Sequence, residues 1–136
     1  LLCDRSGTTI GVAHAGWRSL AARVFEDTGA AMARGPAGIA AWLGPAIGPS
    51  AFEVGSEVRD VFVAADADAA RAFVPGRTGK WLADLHALAR RRLARAGAEH
   101  VAGMRACTFS DALRFFSYRR DGATGRMGAF IWRTAT

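Results

Sequence analysis

The sequence predicts an α+β fold in which helices flank a layered mixed sheet. Short apolar runs typical of strands alternate along the chain with stretches in which apolar residues recur at helical spacing. Sixteen glycines against four prolines favour a turn-rich mixed fold over a helical bundle or a disordered chain. With 136 residues, 51% of them hydrophobic, the chain has the apolar content of one compact domain spanning residues 1–136.

The first predicted unit is a β-hairpin. Residues 1–3 and 8–13 read as strands joined by a turn at residues 4–7. Because the chain starts without methionine and directly on a strand-like run, we expect the fold to be N-terminally incomplete and this chain to be the C-terminal part of the domain. Any targeting segment would lie upstream.

A helix is predicted after the hairpin, followed by a short strand. Apolar positions recur at helical spacing after Gly16, and a stop signal follows at residues 34–36. Residues 39–43 form an apolar strand, and glycine and proline make residues 44–49 a loop of the kind that often lines a site. The periodic positions are Leu20, Val24, Phe25, Thr28 and Met32.

Caps and apolar runs predict the remaining elements. Ser56 is the predicted N-cap of a helix through Val58, Val61 and Phe62, and residues 66–73 form a second short helix. Asp84 caps a helix over residues 85–96 that ends at Gly97. Two closing strands are predicted at residues 100–104 and 128–132.

The charge and cysteine content indicate the setting in which the protein works. The net charge is +6, and Lys80 is the only lysine among 18 basic residues. Such a charge permits polyanionic partners but does not by itself favour nucleic acid. Two distant cysteines form no disulfide framework, which predicts a reduced, cytoplasmic setting. No apolar run reaches the length needed to cross a bilayer, so no membrane partner is expected.

The segment Ala13 to Arg18 carries the sharpest candidate site. It places His14 where a strand is predicted to end and a helix to begin. A neutral imidazole there can ligate zinc or copper, and a helix N-terminus favours anions. For one isolated histidine, a ring satisfied by a backbone carbonyl is the more frequent outcome.

A second candidate lies in residues 115–127, where aromatic residues and arginines are interleaved. The guanidinium of arginine can donate two hydrogen bonds to a phosphate, and an aromatic ring can stack on a flat base. A nucleoside together with phosphate is therefore a chemically suitable ligand. A hairpin with solvated arginines on its turn accounts for the same pattern equally well. Cys3 and Cys107 are interpreted as core residues, and Glu53 and Asp84 as candidate acid–base or orienting groups, with capping ranked first for Asp84.

Four motifs in order resemble the multicopper polyphenol oxidase, or laccase-domain (YfiH-like), family, now read as purine nucleoside phosphorylases. They are HAGWR at residues 14–18, LGPAIGPSAFEVG at 43–55, LADL at 82–85, and CTFSD at 107–111 continuing to FFSYRRDGATGRM at 115–127. The resemblance covers nearly the whole chain. The closing stretch is its most distinctive part.

The resemblance implies a zinc or copper ion held by two histidines and one cysteine. His14 matches one of these histidines, and the other ligands belong to upstream motifs that this sequence does not contain. One ligand holds a catalytic metal poorly, so we expect the longer protein, rather than this fragment, to be active. Cys3 does not match the ligand cysteine.

The implied activity is phosphorolysis of adenosine, inosine, guanosine and methylthioadenosine, with adenosine deaminase as a second activity. Purine nucleoside and phosphate are the expected partners, and Arg18, Arg119 and Arg120 are candidate phosphate or substrate contacts. Zinc-activated water explains deamination more directly than phosphorolysis. The alternatives are a copper-dependent polyphenol oxidase and a noncatalytic nucleotide- or RNA-binding module.

Overall fold

The structure, a computed structural model, describes residues 1–32 and 38–134. These residues divide into two compact units, which we describe one at a time. The first comprises the described residues within 1–44, 89–104 and 128–134, and the second comprises residues 45–88 and 105–127. Helices together with one mixed and one antiparallel sheet confirm the predicted α+β class. The single-domain prediction stays a prediction.

The first unit is built on a four-stranded mixed sheet of order β2-β1-β3-β7. Its strands are β1 (Leu2–Asp4), β2 (Ile10–Gly11), β3 (Ile39–Leu43) and β7 (His100–Gly103). β1 pairs antiparallel with β2 and β3, while β3 pairs parallel with β7. The predicted hairpin is therefore confirmed, with its first strand shifted by one residue and its second strand shorter than predicted. The strand at residues 39–43 is confirmed with the same bounds.

Asp4 organises the turn between β1 and β2. Its buried carboxylate accepts hydrogen bonds from the hydroxyls of Ser6 (2.8 Å) and Thr8 (3.0 Å) and from the backbone N–H groups of Thr8 (2.9 Å) and Thr9 (3.1 Å). These bonds, led by that of the Thr9 N–H, lower the pKa of Asp4 from 3.8 to about 2 against the opposing effect of burial. A charged Asp4 thus holds the turn together at neutral pH.

The helix predicted from Gly16 onward is two helices, α1 (Trp17–Ala21) and α2 (Val24–Ala31). Arg23 lies between them in the left-handed region, with φ 68° and ψ 32°. Leu20, Phe25 and Met32 are buried on both sides of the break. The prediction of one helix is wrong because helical spacing records which residues are buried, not whether the backbone is continuous. The predicted stop at residues 34–36 lies outside the described residues.

The second unit contains a three-stranded antiparallel sheet of order β4-β6-β5. Its strands are β4 (Glu53–Gly55), β5 (Phe73–Pro75) and β6 (Lys80–Ala83). Helix α3 (Ser56–Ala65) and a 3₁₀ helix (Ala67–Ala72) connect β4 to β5. Val58 and Phe62 of α3 are buried, and the ring of Phe62 lies 6.3 Å from that of Phe73.

The cap predictions in this region have different outcomes. Ser56 is the first residue of α3 rather than its cap, since Gly55 occupies the cap position without a side-chain bond. The Ser56 hydroxyl instead accepts a 3.3 Å hydrogen bond from Trp81 Nε1. Asp84 precedes α4 (Leu85–Ala96) and accepts a 2.8 Å bond from the backbone N–H of Ala87, which confirms the predicted cap.

The strand predicted at residues 128–132 is wrong. Within the described part of the chain, this segment pairs with no strand, and the side chains of Phe130 and Trp132 are 78% and 74% exposed. Aromatic residues raise strand propensity only where a neighbouring strand or a core covers them. The strand predicted at residues 100–104 is confirmed as β7. No helix of the described residues is long and apolar enough to cross a membrane.

Candidate functional site

His14 lies in the loop between β2 and α1 with an exposed side chain. β2 ends at Gly11, so His14 does not follow the strand directly as predicted. Its backbone carbonyl accepts a 2.9 Å hydrogen bond from the Ser19 hydroxyl, which ties the loop to α1. A Cβ on Gly16 would lie 3.6 Å from His14 Nε2, so glycine keeps one side of the ring open. The imidazole is accessible to a ligand.

The described residues do not by themselves form a metal centre. Among residues 1–32 and 38–134, no group of three His, Cys, Asp or Glu side chains is placed to hold an ion. Zinc takes at least three protein ligands in catalytic sites, and His14 supplies one. The residues present therefore do not fit a complete zinc or copper site.

Arg18, in α1, presents a free guanidinium close in sequence to His14. Its guanidinium carbon lies 4.5 Å from the ring centroid of Trp17, a cation–π arrangement that limits its rotamers. Within the described residues, Arg18 makes no ion pair, and its side chain is exposed. Arg18 can therefore bind an anion without first breaking an ion pair with a described carboxylate.

Arg119 and Arg120 lie in the short helix α5 (Tyr118–Asp121) of the second unit, and their environments differ. Arg119 is exposed, and its guanidinium carbon lies 5.5 Å from the ring centroid of Phe52. Its NH1 donates a 3.0 Å hydrogen bond to the backbone carbonyl of Glu53. The guanidinium of Arg119 is therefore oriented by an aromatic ring and a neutral hydrogen-bond acceptor. Neither contact neutralises its positive charge.

Arg120 uses all five of its N–H donors within the protein. NH1 donates to the carbonyls of Thr108 and Phe109, both at 2.9 Å, and NH2 donates to the carbonyl of Phe115 at 3.0 Å. Nε and NH2 complete a two-pronged pair with the Asp121 carboxylate. Arg120 fastens α5 to the segment before it and has no donor left for a substrate in this arrangement.

The segment of interleaved aromatics and arginines is not a hairpin. Residues 115–127 contain the helix α5 and no strand, so the hairpin alternative is wrong. Ser117 is buried and caps α5 by accepting a bond from the Arg120 N–H at 3.4 Å. Phe116 and Tyr118 are exposed, and a Cβ on Gly125 would come within 2.7 Å of the Phe116 ring. Exposed aromatic faces thus accompany the arginines.

Glu53 forms a second charged centre in this unit. Its carboxylate receives the Arg77 guanidinium through Nε at 2.9 Å and through NH2. These hydrogen bonds from Arg77, with a further contribution from the charge of Lys80, lower the pKa of Glu53 despite partial burial. Arg77 and Lys80 were not singled out by the sequence. The one signal in the sequence was that Lys80 is the only lysine in an arginine-rich chain.

Cys107 is not the plain apolar core residue that the sequence suggested. It is half-buried, and its sulfur accepts hydrogen bonds from the Gly48 N–H (3.1 Å), the Ser110 hydroxyl (3.3 Å) and the Ser110 N–H (3.4 Å). Burial raises the pKa of the thiol, but the bonds from Ser110, Gly48 and Phe109 together outweigh it, so the net pKa is lowered. Cys3 lies half-buried in β1.

Solved structures share this fold. A crystal structure of a Neisseria meningitidis protein matches with a TM-score of 0.86 and 51% identity, covering 91% of this chain and 51% of its own. A crystal structure of a Bacillus licheniformis protein called YfiH matches with a TM-score of 0.78 and 30% identity, covering 89% of this chain and 48% of its own. The fold thus belongs to a class of α+β proteins whose chains are about twice as long as the part they share with this one.

Residues 1–134 match the family described as multi-copper polyphenol oxidoreductase laccase, and the chain belongs to that family. It is similar to a protein of Escherichia coli named purine nucleoside phosphorylase YfiH, with 54% identity over 97% of this chain and 54% of the relative. A purine nucleoside phosphorylase of Pseudomonas aeruginosa is also 54% identical, over 97% and 55%. The chain spans about half the length of these relatives. The family resemblance of the four motifs is confirmed.

Proposed function

We propose that the protein, at its natural length, is a purine nucleoside phosphorylase. The arrangement of Arg119 carries the proposal, because its guanidinium is oriented by Phe52 and the Glu53 carbonyl while its charge has no carboxylate partner in the described part of the chain. Such a guanidinium matches a phosphate oxyanion. The names of the relatives support the same activity.

In this reaction an oxygen of inorganic phosphate attacks C1′ of the nucleoside. The C1′–N9 bond breaks, its electron pair passes to the purine, and the base takes up a proton, giving free base and ribose 1-phosphate. Arg119 of the second unit is the proposed phosphate contact, and Arg18 of the first unit is a separate candidate for a phosphate or substrate contact, since neither is paired with a described carboxylate. Arg120 has a positioning role, because its donors hold the backbone beside α5.

The proposed substrates are adenosine, inosine, guanosine and methylthioadenosine, and deamination of adenosine is the proposed second activity. The exposed rings of Phe116 and Tyr118 offer faces on which a purine can stack. Inosine formed from adenosine without phosphate would report deamination separately from phosphorolysis. Each activity is measured by separating its product by chromatography and identifying it.

We further propose that His14 contributes one ligand to a zinc or copper ion whose other ligands lie in motifs absent from this sequence. A bound zinc would supply a Lewis acid. The supporting observation is the exposed imidazole beside Gly16. In the protein at its natural length, His14→Ala should lower the measured metal-to-protein ratio, and His100→Ala, which replaces an exposed histidine of β7, should leave it unchanged.

The test of the proposed function is purine base release from adenosine and inosine, with and without phosphate. Both the protein at its natural length and the 136-residue chain are assayed. Phosphate-dependent release by the longer protein supports the proposal. Oxygen uptake with phenols and no base release would support the polyphenol oxidase instead, and steeply salt-dependent RNA binding without turnover would support the binding module.

A further inference from the structure

The four-stranded sheet of the first unit has one buried face and one open face. On β3, Ile39 and Ala41 are buried, whereas the alternate residues Ala40 and Trp42 are half-buried and exposed. Successive side chains of a strand point to opposite sides, so this alternation separates the two faces. The register of β3 with β1 and β7 extends the second face over these neighbouring strands. This open face consists of Cys3, Ala40, Trp42, His100, Ala102 and Met104.

The open face is apolar. None of its residues is Asp, Glu, Lys or Arg, and Trp42 and Met104 are each 39% exposed. β3 is apolar at every position, which is the pattern of a strand buried on both sides. Its parallel pairing with β7 is typical of sheets that are covered on both faces. The pattern of β3 therefore predicts a covering layer on the open face.

Two more aromatic rings of the same unit are exposed. These are Phe130 and Trp132, while Ile131 between them is half-buried. Each ring offers about 150–250 Å² of surface for burial against a partner. Single exposed apolar residues are common, but several large ones in one unit mark an interaction surface. These rings are a second indication that the first unit binds a further layer of protein.

Leu1 shows where such a layer would join the sheet. Its nitrogen donates a 3.0 Å hydrogen bond to the Trp42 carbonyl, and the Trp42 N–H donates a 2.8 Å bond to the Leu1 carbonyl. Paired residues inside antiparallel strands exchange the same two bonds. The Leu1 amine therefore occupies the place of a peptide N–H, and burial lowers its pKa. A chain that continues upstream of Leu1 starts beside Trp42, at the open face.

The relatives have the length of chain that such a layer needs. The chain spans about half the length of these relatives. A segment tethered at Leu1 would meet the open face at a high effective concentration. A second copy would lose translational and rotational freedom when it bound there. The same chain is therefore the favoured source of the layer.

We propose that the part of the natural-length protein upstream of Leu1 packs on the open face as a second layer. It buries Trp42 and Met104 and completes the apolar core of the first unit. The segment in contact with Trp42 is apolar, because a charge placed opposite this ring would be buried without a partner. The 136-residue chain by itself would keep the open face exposed.

Substitution of a small residue of the open face tests this packing in the natural-length protein. Ala102→Glu places a carboxylate under the proposed layer and should lower the melting temperature by several degrees, because the charge is buried without a partner. Ala94→Glu is the matched control, since it makes the same change at an exposed position of α4 in the same unit. It should leave the melting temperature nearly unchanged. Equal shifts in the two variants overturn the proposal.

The wild-type protein at its natural length gives a second test, which does not depend on the folding of a variant. Met104 should be oxidised by hydrogen peroxide as slowly as Met32, which is buried in the same unit. Mass spectrometry of peptides measures both rates. Faster oxidation of Met104 than of Met32 overturns the proposal, because a covered side chain is protected from the oxidant.

Photo-crosslinking identifies the source of the layer. Photo-methionine replaces methionine in the natural-length protein, and mass spectrometry locates the residues joined to Met104 after irradiation. Crosslinks from Met104 to residues upstream of Leu1, in a product of monomer mass, support the proposal. Crosslinks that join Met104 to a second chain, in a product of dimer mass, assign the open face to a second copy and overturn it.

Discussion

Arg120 and Asp121 are neighbours in sequence and form a two-pronged ion pair, with Nε 2.8 Å from Oδ1 and NH2 2.7 Å from Oδ2. The pair raises the pKa of Arg120 and lowers the pKa of Asp121, mainly through these hydrogen bonds. It also aims NH1 at the carbonyls of Thr108 and Phe109. Two consecutive arginines therefore differ, because Arg120 fixes the backbone whereas Arg119 has no carboxylate partner among the described residues.

Replacing Arg120 should damage the fold, whereas replacing Arg119 should damage function. Arg120→Ala removes the donors of three backbone carbonyls, so we expect the melting temperature to fall by several degrees. Arg119→Ala should change the melting temperature little and raise the KM for phosphate. Thermal denaturation and initial-rate kinetics check the two expectations. Equal losses of stability in both variants would contradict the division of roles.

Asp4 should make stability depend on pH in the acid range. Its folded pKa of about 2 lies below its ordinary value of 3.8, so its contribution is fully present above about pH 4 and is lost as the pH falls toward 2. Denaturant unfolding at successive pH values measures this. Asp4→Asn should be less stable at pH 7 and should show a flatter slope between pH 4 and 2. Parallel curves for the two proteins would contradict it.

Cys107 should be alkylated faster at neutral pH than an ordinary thiol of equal exposure, because its pKa is lowered. In the 136-residue chain carrying Cys3→Ser, Cys107 is the only thiol, and its lowered pKa should increase the rate of alkylation by iodoacetamide at pH 7. Ser110→Ala removes the hydroxyl that lies 3.3 Å from the sulfur and should shift the midpoint of the rate-against-pH curve upward. An unchanged or lower midpoint would contradict the role of Ser110.

Arg23 should be a site where glycine stabilises the protein. Its φ of 68° places a side chain in the left-handed region, which costs L-residues about 1–2 kcal/mol relative to the right-handed helix. Arg23→Gly relieves this cost and should raise the free energy of unfolding by about 0.5–1 kcal/mol after the greater freedom of glycine in the unfolded chain is counted. Arg23→Val should lower it. Destabilisation by glycine would contradict the assigned conformation.

Local signals in the sequence were sufficient for much of the fold. The β3 run of residues 39–43 and the cap at Asp84 are recognisable within a few residues, and both are confirmed. Two features were not recognisable in this way: the helix break at Arg23 and the unpaired segment at residues 128–132. Both depend on which other parts of the chain pack against them, and the local sequence does not contain that information. The sequence therefore predicted buried faces better than it predicted where elements stop.

The candidate site was predictable only in part. The motifs drew attention to His14 and Arg119, but the surroundings of Cys107 depend on Gly48, 59 residues away in the chain. The different engagement of Arg119 and Arg120 likewise depends on carbonyls of other segments. Arg119 bonds a carbonyl 66 residues away, whereas Arg120 bonds carbonyls 5 to 12 residues away together with its neighbour Asp121, and two consecutive arginines in the sequence do not show this difference.

The most direct measurement is the identity of the sugar product formed from inosine by the protein at its natural length. If Arg119 binds the phosphate used in phosphorolysis, phosphorus NMR will show ribose 1-phosphate formed in an amount equal to that of hypoxanthine. Without phosphate, neither product will form. Free ribose released at a rate independent of phosphate, or no hypoxanthine at all, would contradict the proposed function.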